Sequence, residues 1–285
     1  MRVINAEWPK NPFFNLAFEE AFLLANEPPA LRLWRNDRVI VIGRFQCAAL
    51  EVNAVEAYRL NVKLVRRFTG GGAVYHDLGN VNYAIVLSED VGGVVEAFKL
   101  VGDLVSQALN SLGVKARYRP LNDIEVNGRK ISGLAACRVR GKLFVHGAML
   151  VSSDLSILWR VLKVSKEKLL DKKFVGSKVK RVITLEEALG RRVGIEEVYK
   201  AITDSLADTL KDHPIWDKPR KAELKLAYEL YQSKYSKIEW NLRYLKLVRE
   251  HIDREELEAL LAIAKPGEEE EKAIREVVAG AKDGV

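Results

Sequence analysis

The sequence predicts an α+β protein, strand-rich with interspersed helices up to about residue 153 and mostly helical after it. Three observations carry that reading. Up to about residue 153, short β-rich runs alternate with helical segments. Asn127-Gly128 lies between two extended runs and is a hairpin signal, because both residue types accept the positive φ of a tight turn. After residue 154 the apolar spacing is helical almost to the end. Strand-rich sequence followed by helix-rich sequence points to α+β architecture.

The elements follow in order. In "FFNLAFEEAFLLANEPP", Phe14, Phe18, Phe22 and Ala25 recur at helical spacing, and Pro28-Pro29 ends the helix. "LRLW" and "VIVIG" flank Asn36-Asp37 and predict two strands joined by a turn. A short helix starts near Asn53. "KLVRRF" runs as a strand into three glycines, "AVYHD" leaves them as another, and "DLGN" turns into the strand "VNYAIVLS". Residues 94–112 form a helix with Val94, Phe98, Val101, Val105, Ala108 and Leu112 on one broad face. "KLFVHGAMLVS" is a further strand. Pro214 and Pro219 bracket a joint, "HPIWDKP", and Pro266-Gly267 separates two short helices. Glu268–Glu271 favour the second through the helix dipole.

The bulk properties bound the function. A chain of 285 residues, 48% hydrophobic and 30% charged, can build one large core plus an appendage. Cys47 and Cys137 are too few for a disulfide framework and predict a reducing compartment. "MRVINAEWPK" lacks the apolar region of a signal peptide, and no apolar run reaches membrane-spanning length, so a cytoplasmic protein without a membrane partner is expected. Gln46, Gln107 and Gln232 are the only glutamines, while Lys, Arg and Glu are plentiful, a composition that leans towards heat adaptation. Residues 241–285 carry 8 basic and 11 acidic side chains, leaving 38 and 28 for residues 1–240. A basic body favours an acidic partner.

The stretch "RRFTGGGAVYHDLGN", residues 66–80, is the most unusual. Glycine lets a backbone approach a ligand closely, and it also builds plain turns or bulges. A P-loop is excluded because no Lys-Ser/Thr and helix follow, and a dinucleotide fingerprint because the glycines are contiguous. Arg66 and Arg67 offer charged forks for phosphate or carboxylate. His76-Asp77 has no second cluster to complete a metal site, and no nucleophile elbow supports a serine hydrolase. A second stretch, "PLNDIEVNGRKISGLAACRVRGKLFVHGAMLV", places Lys130 just past the hairpin turn, where an ammonium can meet a phosphoryl group or simply face solvent. Asn122-Asp123 can bind a nucleotide or start a turn. His146 lies in an apolar strand.

Together these stretches resemble the lipoate–protein ligase family, within the wider biotin and lipoate protein ligase superfamily. "RRFTGGGAVYHDLGNVNY" looks like its signature, and "NDIEVNGRKISG" resembles its Asn-Asp and Lys segment. "NLAFEEA", "LRLWRNDRVIVIGRFQ", "SKVKRVITLEEAL" and "KYSKIEWN" resemble further landmarks in the same order, so the likeness covers about residues 10–241. It implies an α+β catalytic domain over residues 1–240, with a central mixed β-sheet and flanking helices, whereas residues 241–285 read as a charged helical tail and depart from the family's usual accessory domain. It implies ATP, Mg²⁺ and lipoate as reactants. Lipoate is activated to lipoyl-adenylate and then transferred to a lysine of an acidic lipoyl domain of a 2-oxoacid dehydrogenase E2 subunit, or of the glycine cleavage H protein. The departure implies either a separate small accessory subunit for activation, as in two-part ligases, or a helical tail that takes the missing domain's place.

The resemblance assigns Lys130 as the catalytic cation bridging carboxylate and α-phosphate. Arg67, Gly70, Gly71, Gly72, Ala73, Val74, Tyr75, His76, Gly133 and His146 are implied to line the lipoyl-adenylate. Arg67, Asn122, Asp123, Lys130, Lys178 and Arg181 are implied to face the nucleotide, Asp123 as the Mg²⁺ ligand, with residues 176–182 as a closing loop. Val145 and Ala148 depart from residues common in relatives. The rival of the same fold is an octanoyl or lipoyl transferase working through a cysteine thioester, for which Cys137, among Arg138 and Arg140, is the candidate. A biotin ligase lacks support because its Gly-Arg-Gly-Arg type loop is missing. A basic nucleic-acid-binding protein is the distant alternative, with no recognised motif behind it.

Overall fold

The computed structural model describes residues 1–163 and 182–280. Among them, β1 (Arg2–Asn5), β2 (Ala30–Trp34), β6 (Asn80–Ser88), β7 (Ala116–Arg119), β8 (Asp123–Val126), β9 (Arg129–Val139), β10 (Lys142–Leu150) and β11 (Ile215–Asp217) form a mixed sheet. Its order is β11-β1-β2-β6-β10-β9-β8-β7. A second sheet has the order β4 (Lys63–Arg66), β3 (Val39–Ile42), β5 (Val74–His76).

Local signals explain the elements. Helix α1 (Pro12–Ala25) begins with Asn11, whose side chain accepts from the Phe14 amide at 2.9 Å, and with proline in the first turn. Both Asn127 (φ 53°) and Gly128 (φ 73°) adopt the left-handed region between β8 and β9, as the hairpin signal requires. Arg140 (φ 50°) and Gly141 (φ 77°) do the same between β9 and β10.

The eight-stranded sheet buries both faces. One packs Tyr83, Ile85 and Val145 against the helices Val94–Ser111 and Ile195–Leu210. The other packs Ala84 and Phe144 against Phe14 and Phe18 of α1. A third core joins Ile40, Ile42 and Leu64 of the small sheet to Leu242, Leu260 and Ile263, so the C-terminal segment shares its core with the body. Among the described residues, no helix is long and apolar enough to cross a membrane.

Three features go beyond the sequence reading. The strands around Asn36-Asp37 form, but they do not pair: β2 joins the large sheet and β3 the small one. β1 and β7, which carry no clear alternation in sequence, are strands. The "HPIWDKP" joint contains β11, which pairs in parallel with β1.

Candidate active site

The strand register explains how distant residues meet. Trp34 pairs with Asn82, Asn82 with Ala148, Ala148 with Gly133, and Gly133 with Asp123. Directly paired residues point to the same face, so these five form one row across β2, β6, β10, β9 and β8. Gly133 to Trp34 spans three strand steps, roughly 14 Å at about 4.8 Å each. The middle of the row is small, Ala148 and Gly133, and Ala135 lies on the same face one pair along. This trough is the floor of a cavity of about 980 Å³. Gly71, Gly72, Ala73, Val74, Tyr75 and His76 also line it.

A β-bulge places the open-end cation. Ile124 pairs with Ser132 and Glu125 with Lys130, so Ile131 is the extra residue on β9. Strict alternation would put Lys130 and Gly133 on opposite faces. The bulge brings Lys130 back over Gly133, as bulges re-aim side chains. A methyl group on Gly133 would stand 2.6 Å from Lys130 Nζ. The ammonium pairs with Asp123 Oδ1 at 2.7 Å, both groups about one-third exposed. The Ile183 amide, donating to the Lys130 carbonyl at 2.9 Å, fixes the backbone there. Lys178 and Arg181 lie outside the described residues.

The glycine loop is held from beneath by Arg67. Its guanidinium donates to the carbonyls of Gly70 (2.6 Å), Gly72 (2.9 Å) and Val41 (3.2 Å). Burial lowers its pKa to about 10. Arg67 lines the cavity, but its donors are directed mainly at the loop, which makes it a shaping residue for the site. Gly71 has φ +91° and needs to be glycine. Gly70 lies outside the cavity lining and contributes its carbonyl to Arg67. Asn122 lines the cavity and donates its amide to the Leu134 carbonyl at 2.8 Å.

His146 lines the cavity with Nε2 2.7 Å from Thr69 Oγ1 and Nδ1 3.0 Å from the buried Glu19 carboxylate. That contact lies off hydrogen-bond geometry, leaving both Glu19 oxygens without a hydrogen bond. His76 is 4% exposed, and burial drives its pKa down to about 3, so the ring is neutral. Unpaired buried polar atoms concentrate here: those of Glu19, Trp34, Tyr75, His76, Asn80 and Asn82 all belong to the lining. Native interiors leave few such groups unpaired, and a site that takes a polar ligand is where they are expected.

Sequence reasoning missed Glu19, Trp34, Asn80, Asn82 and Arg119 as lining residues. Glu19 had a readable signal, one of two adjacent carboxylates inside a mostly apolar helical run. The thioester candidate is corrected. Burial pushes the Cys137 thiol up to about 12, and Cys137 is not part of the lining, so no thiolate is presented to the cavity.

Comparison with known proteins agrees with this geometry. Residues 11–207 match the lipoyl protein ligase A/B catalytic domain. The chain is 36% identical over 258 residues to lipoate-protein ligase A subunit 1 of Thermoplasma acidophilum, covering 86% of this chain and 97% of that one. It superposes with a TM-score of 0.78 and 37% identity on a structure from the bi-partite lipoate protein ligase and E2 lipoyl domain of that organism, covering 85% of this chain and 95% of the other. A lipoate-protein ligase A bound with ATP gives TM-score 0.78 at 35% identity, over 85% and 98% of the two chains. The octanoyltransferase LipM of Brevibacillus brevis is more distant, 28% identical over 82% of this chain and 95% of its own length. The register-built trough, the Lys130 bulge and these matches converge: the chain belongs to the lipoyl protein ligase A/B catalytic domain family.

Proposed function

We propose that this chain is a lipoate–protein ligase that activates lipoate with ATP and transfers the lipoyl group to an acceptor lysine. The observation that carries it is Lys130, poised over Gly133 at the open end of a trough that runs to the buried Trp34 and His76. In the first step a carboxylate oxygen attacks the α-phosphorus, the new O–P bond forms, and pyrophosphate leaves. Two anions must approach, and a fixed ammonium between them stabilises the developing charge. Asp123, 2.7 Å away, positions that ammonium. In the second step the neutral acceptor amine attacks the acyl carbon, an amide forms and AMP leaves.

Gly72, Ala73, Val74 and Tyr75 present backbone to the adenylate, and His76 and His146 flank the acyl chain. Among the described residues no group of three His, Cys, Asp or Glu could hold a metal ion. Mg²⁺ arriving with a nucleotide needs only one or two carboxylates besides phosphate oxygens, and Asp123 at the cavity mouth fits that role. Bound there, the ion would neutralise phosphate charge.

A relative is part of a bi-partite ligase studied with its E2 lipoyl domain. That supports a lipoyl domain as acceptor and a second ligase subunit as partner; an acidic surface on that domain, the glycine cleavage H protein as a further acceptor, and an activating role for a small second subunit are part of this proposal. We divide the chain functionally into residues 1–240, carrying the chemistry, and 241–285, bracing it.

The test is intact-mass analysis of an acceptor lipoyl domain incubated with this chain, lipoate, Mg²⁺ and ATP, beside a tube supplied with preformed lipoyl-adenylate. Modification in both tubes, lost with Lys130→Ala, establishes a complete ligase. Modification from the adenylate alone establishes a transfer subunit that awaits its activating partner. No modification in either tube refutes the reading.

A further inference from the structure

A surface both basic and apolar borders the glycine loop, and the chemistry above does not use it. Residues 43–46 abut the glycine loop directly. A methyl group on Gly43 would stand 2.0 Å from the Gly71 carbonyl oxygen, the Arg44 amide donates to the Thr69 carbonyl at 2.8 Å, and Gln46 lines the cavity. Residues 242–248 lie against the same segment. The buried Arg66 guanidinium donates to the Gly43, Arg44 and Gln46 carbonyls and lies 5.3 Å from the centroid of the Tyr244 ring. Cys47 Sγ is 3.6 Å from the Tyr244 carbonyl oxygen. The two segments therefore make one face beside the site.

That face is unusual in two respects. Phe45 is 72% exposed and Leu247 78%, and large apolar side chains left in water close to one another mark an interaction site. Residues 43–50 and 242–248 also contain Arg44, Arg243 and Lys246 but no Asp or Glu. None of these three cations forms an ion pair among the described residues, whereas Arg59, Arg138, Arg160, Arg191 and Arg254 elsewhere on the surface each hold a carboxylate. Instead, the Arg44 guanidinium lies over the Phe45 ring at 5.6 Å and the Arg243 guanidinium over the Tyr244 ring at 5.5 Å. Arginine and aromatic side chains are the residues that anchor protein interfaces. Charges that the fold leaves uncompensated suit a partner of opposite sign. Three cations would make few phosphate contacts on a polynucleotide, and the apolar side chains between them fit a folded protein surface.

We propose that Arg44, Phe45, Arg243, Lys246 and Leu247 form the docking surface for the acceptor, an acidic carrier domain whose lysine is thereby brought to the glycine loop. The proposal rests on the ligase reading above and adds to it the place where the acceptor sits.

The experiment follows transfer from preformed lipoyl-adenylate to an E2 lipoyl domain by intact mass, over a range of domain concentrations. Adenylate affinity and melting temperature are measured beside it. Phe45→Ser and the double variant Arg243→Glu/Lys246→Glu should each raise the KM for the domain by about fivefold or more, with kcat, adenylate affinity and melting temperature close to wild type. Raising the ionic strength to about 0.5 M should raise the wild-type KM and move that of the double variant little. Arg192→Glu makes a charge change of the same sign at an exposed residue just before the helix Ile195–Leu210 and should leave the KM within about twofold. If the double variant melts early, Lys246→Glu alone supplies the comparison. An unchanged KM in the surface variants, or an equal rise with Arg192→Glu, overturns the proposal. Impaired ATP-driven adenylate formation with unimpaired transfer would assign the face to a second ligase subunit and overturn it as well. A wild-type chain that modifies no domain from the adenylate refutes the ligase reading, and this proposal with it.

Discussion

Arg66 and Asn241, 175 residues apart, are joined by the Arg66 amide donating to Asn241 Oδ1 at 2.9 Å and the Arg66 guanidinium donating to the Asn241 carbonyl at 2.9 Å. The same guanidinium, fully buried, donates to the carbonyls of Gly43, Gln46 and Trp240. Asn241 in turn donates to the carbonyls of Tyr235 and Ala264. The strand entering the glycine loop and the start of the C-terminal segment are therefore one hydrogen-bonded unit. Asn241→Ala leaves several buried groups unpaired, each costing about 1–3 kcal/mol. A loss on the order of 3 kcal/mol is expected in denaturant unfolding, and a change within about 0.5 kcal/mol, ordinary for surface sites, would refute this bracing role.

Gly133→Ala separates fold from chemistry. The added methyl would lie 2.6 Å from Nζ and 2.8 Å from Cε of Lys130, the flexible end of a side chain that can swing aside. Stability should change by less than about 1 kcal/mol, while adenylate formation falls by roughly tenfold or more as the ammonium leaves its position. Pyrophosphate release against ATP, beside a melting curve, checks both. Full activity would show that the ammonium works from elsewhere.

The neighbouring glycines should respond in opposite ways. Gly71 has φ +91°, and its added Cβ would lie 2.8 Å from the Arg67 guanidinium, so Gly71→Ala should destabilise the protein by about 1 kcal/mol or more. A Cβ on Gly72 meets nothing within 4 Å. Gly72→Val should therefore keep the melting temperature but raise the KM for lipoate by about tenfold, through a side chain standing where the ligand lies. Equal KM values for wild type and Gly72→Val would place the substrate elsewhere.

Much of this was legible from local chemistry. Helix α1, the Asn127-Gly128 turn and the strands on both sides of the glycines announce themselves by spacing and turn residues. Lys130, Asp123, Gly71, Gly72 and His76, all of which line the cavity, are marked by motif. What stayed hidden depends on register and on non-local partners. Nothing in the chain says that Trp34, Asn82, Ala148, Gly133 and Asp123 share one row, because four independent strand pairings produce it. Arg67 read as a free cation for phosphate, whereas three carbonyls of the fold draw its donors. β1 and β11 are three or four residues long and are specified by each other's edges.

Cys137→Ala should leave lipoyl transfer within about twofold of wild type. The thiol, pushed up to about 12 by burial, with Glu19 and Glu20 adding to the shift, supplies negligible thiolate near neutral pH. Intact-mass analysis of the acceptor after a single turnover is the check. Loss of transfer, with a mixed acyl–enzyme mass in the wild type that the variant lacks, would restore the thioester route.

His76 gives the fold a predictable acid sensitivity. In the folded chain burial moves its pKa from the ordinary 6.5 down to about 3. Between those values the unfolded chain binds a proton that the folded chain does not. The linkage relation then makes stability rise with pH across that window and level off above about 6.5. Stability contributed by the neutral ring is present at neutral pH and is lost as the medium is acidified. Over the two units from pH 6.5 to 4.5 the loss is on the order of 2 kcal/mol, at about 1.4 kcal/mol per unit. Carboxylates add their own acid dependence, so the measurement is a difference. His76→Gln keeps a neutral amide in the pocket and does not titrate. Denaturant unfolding at pH 4.5, 5.5, 6.5 and 7.5 should show the wild type losing about 2 kcal/mol more than His76→Gln over the first three points, with parallel behaviour above them. Equal slopes throughout would mean that the ring accepts its proton inside the fold.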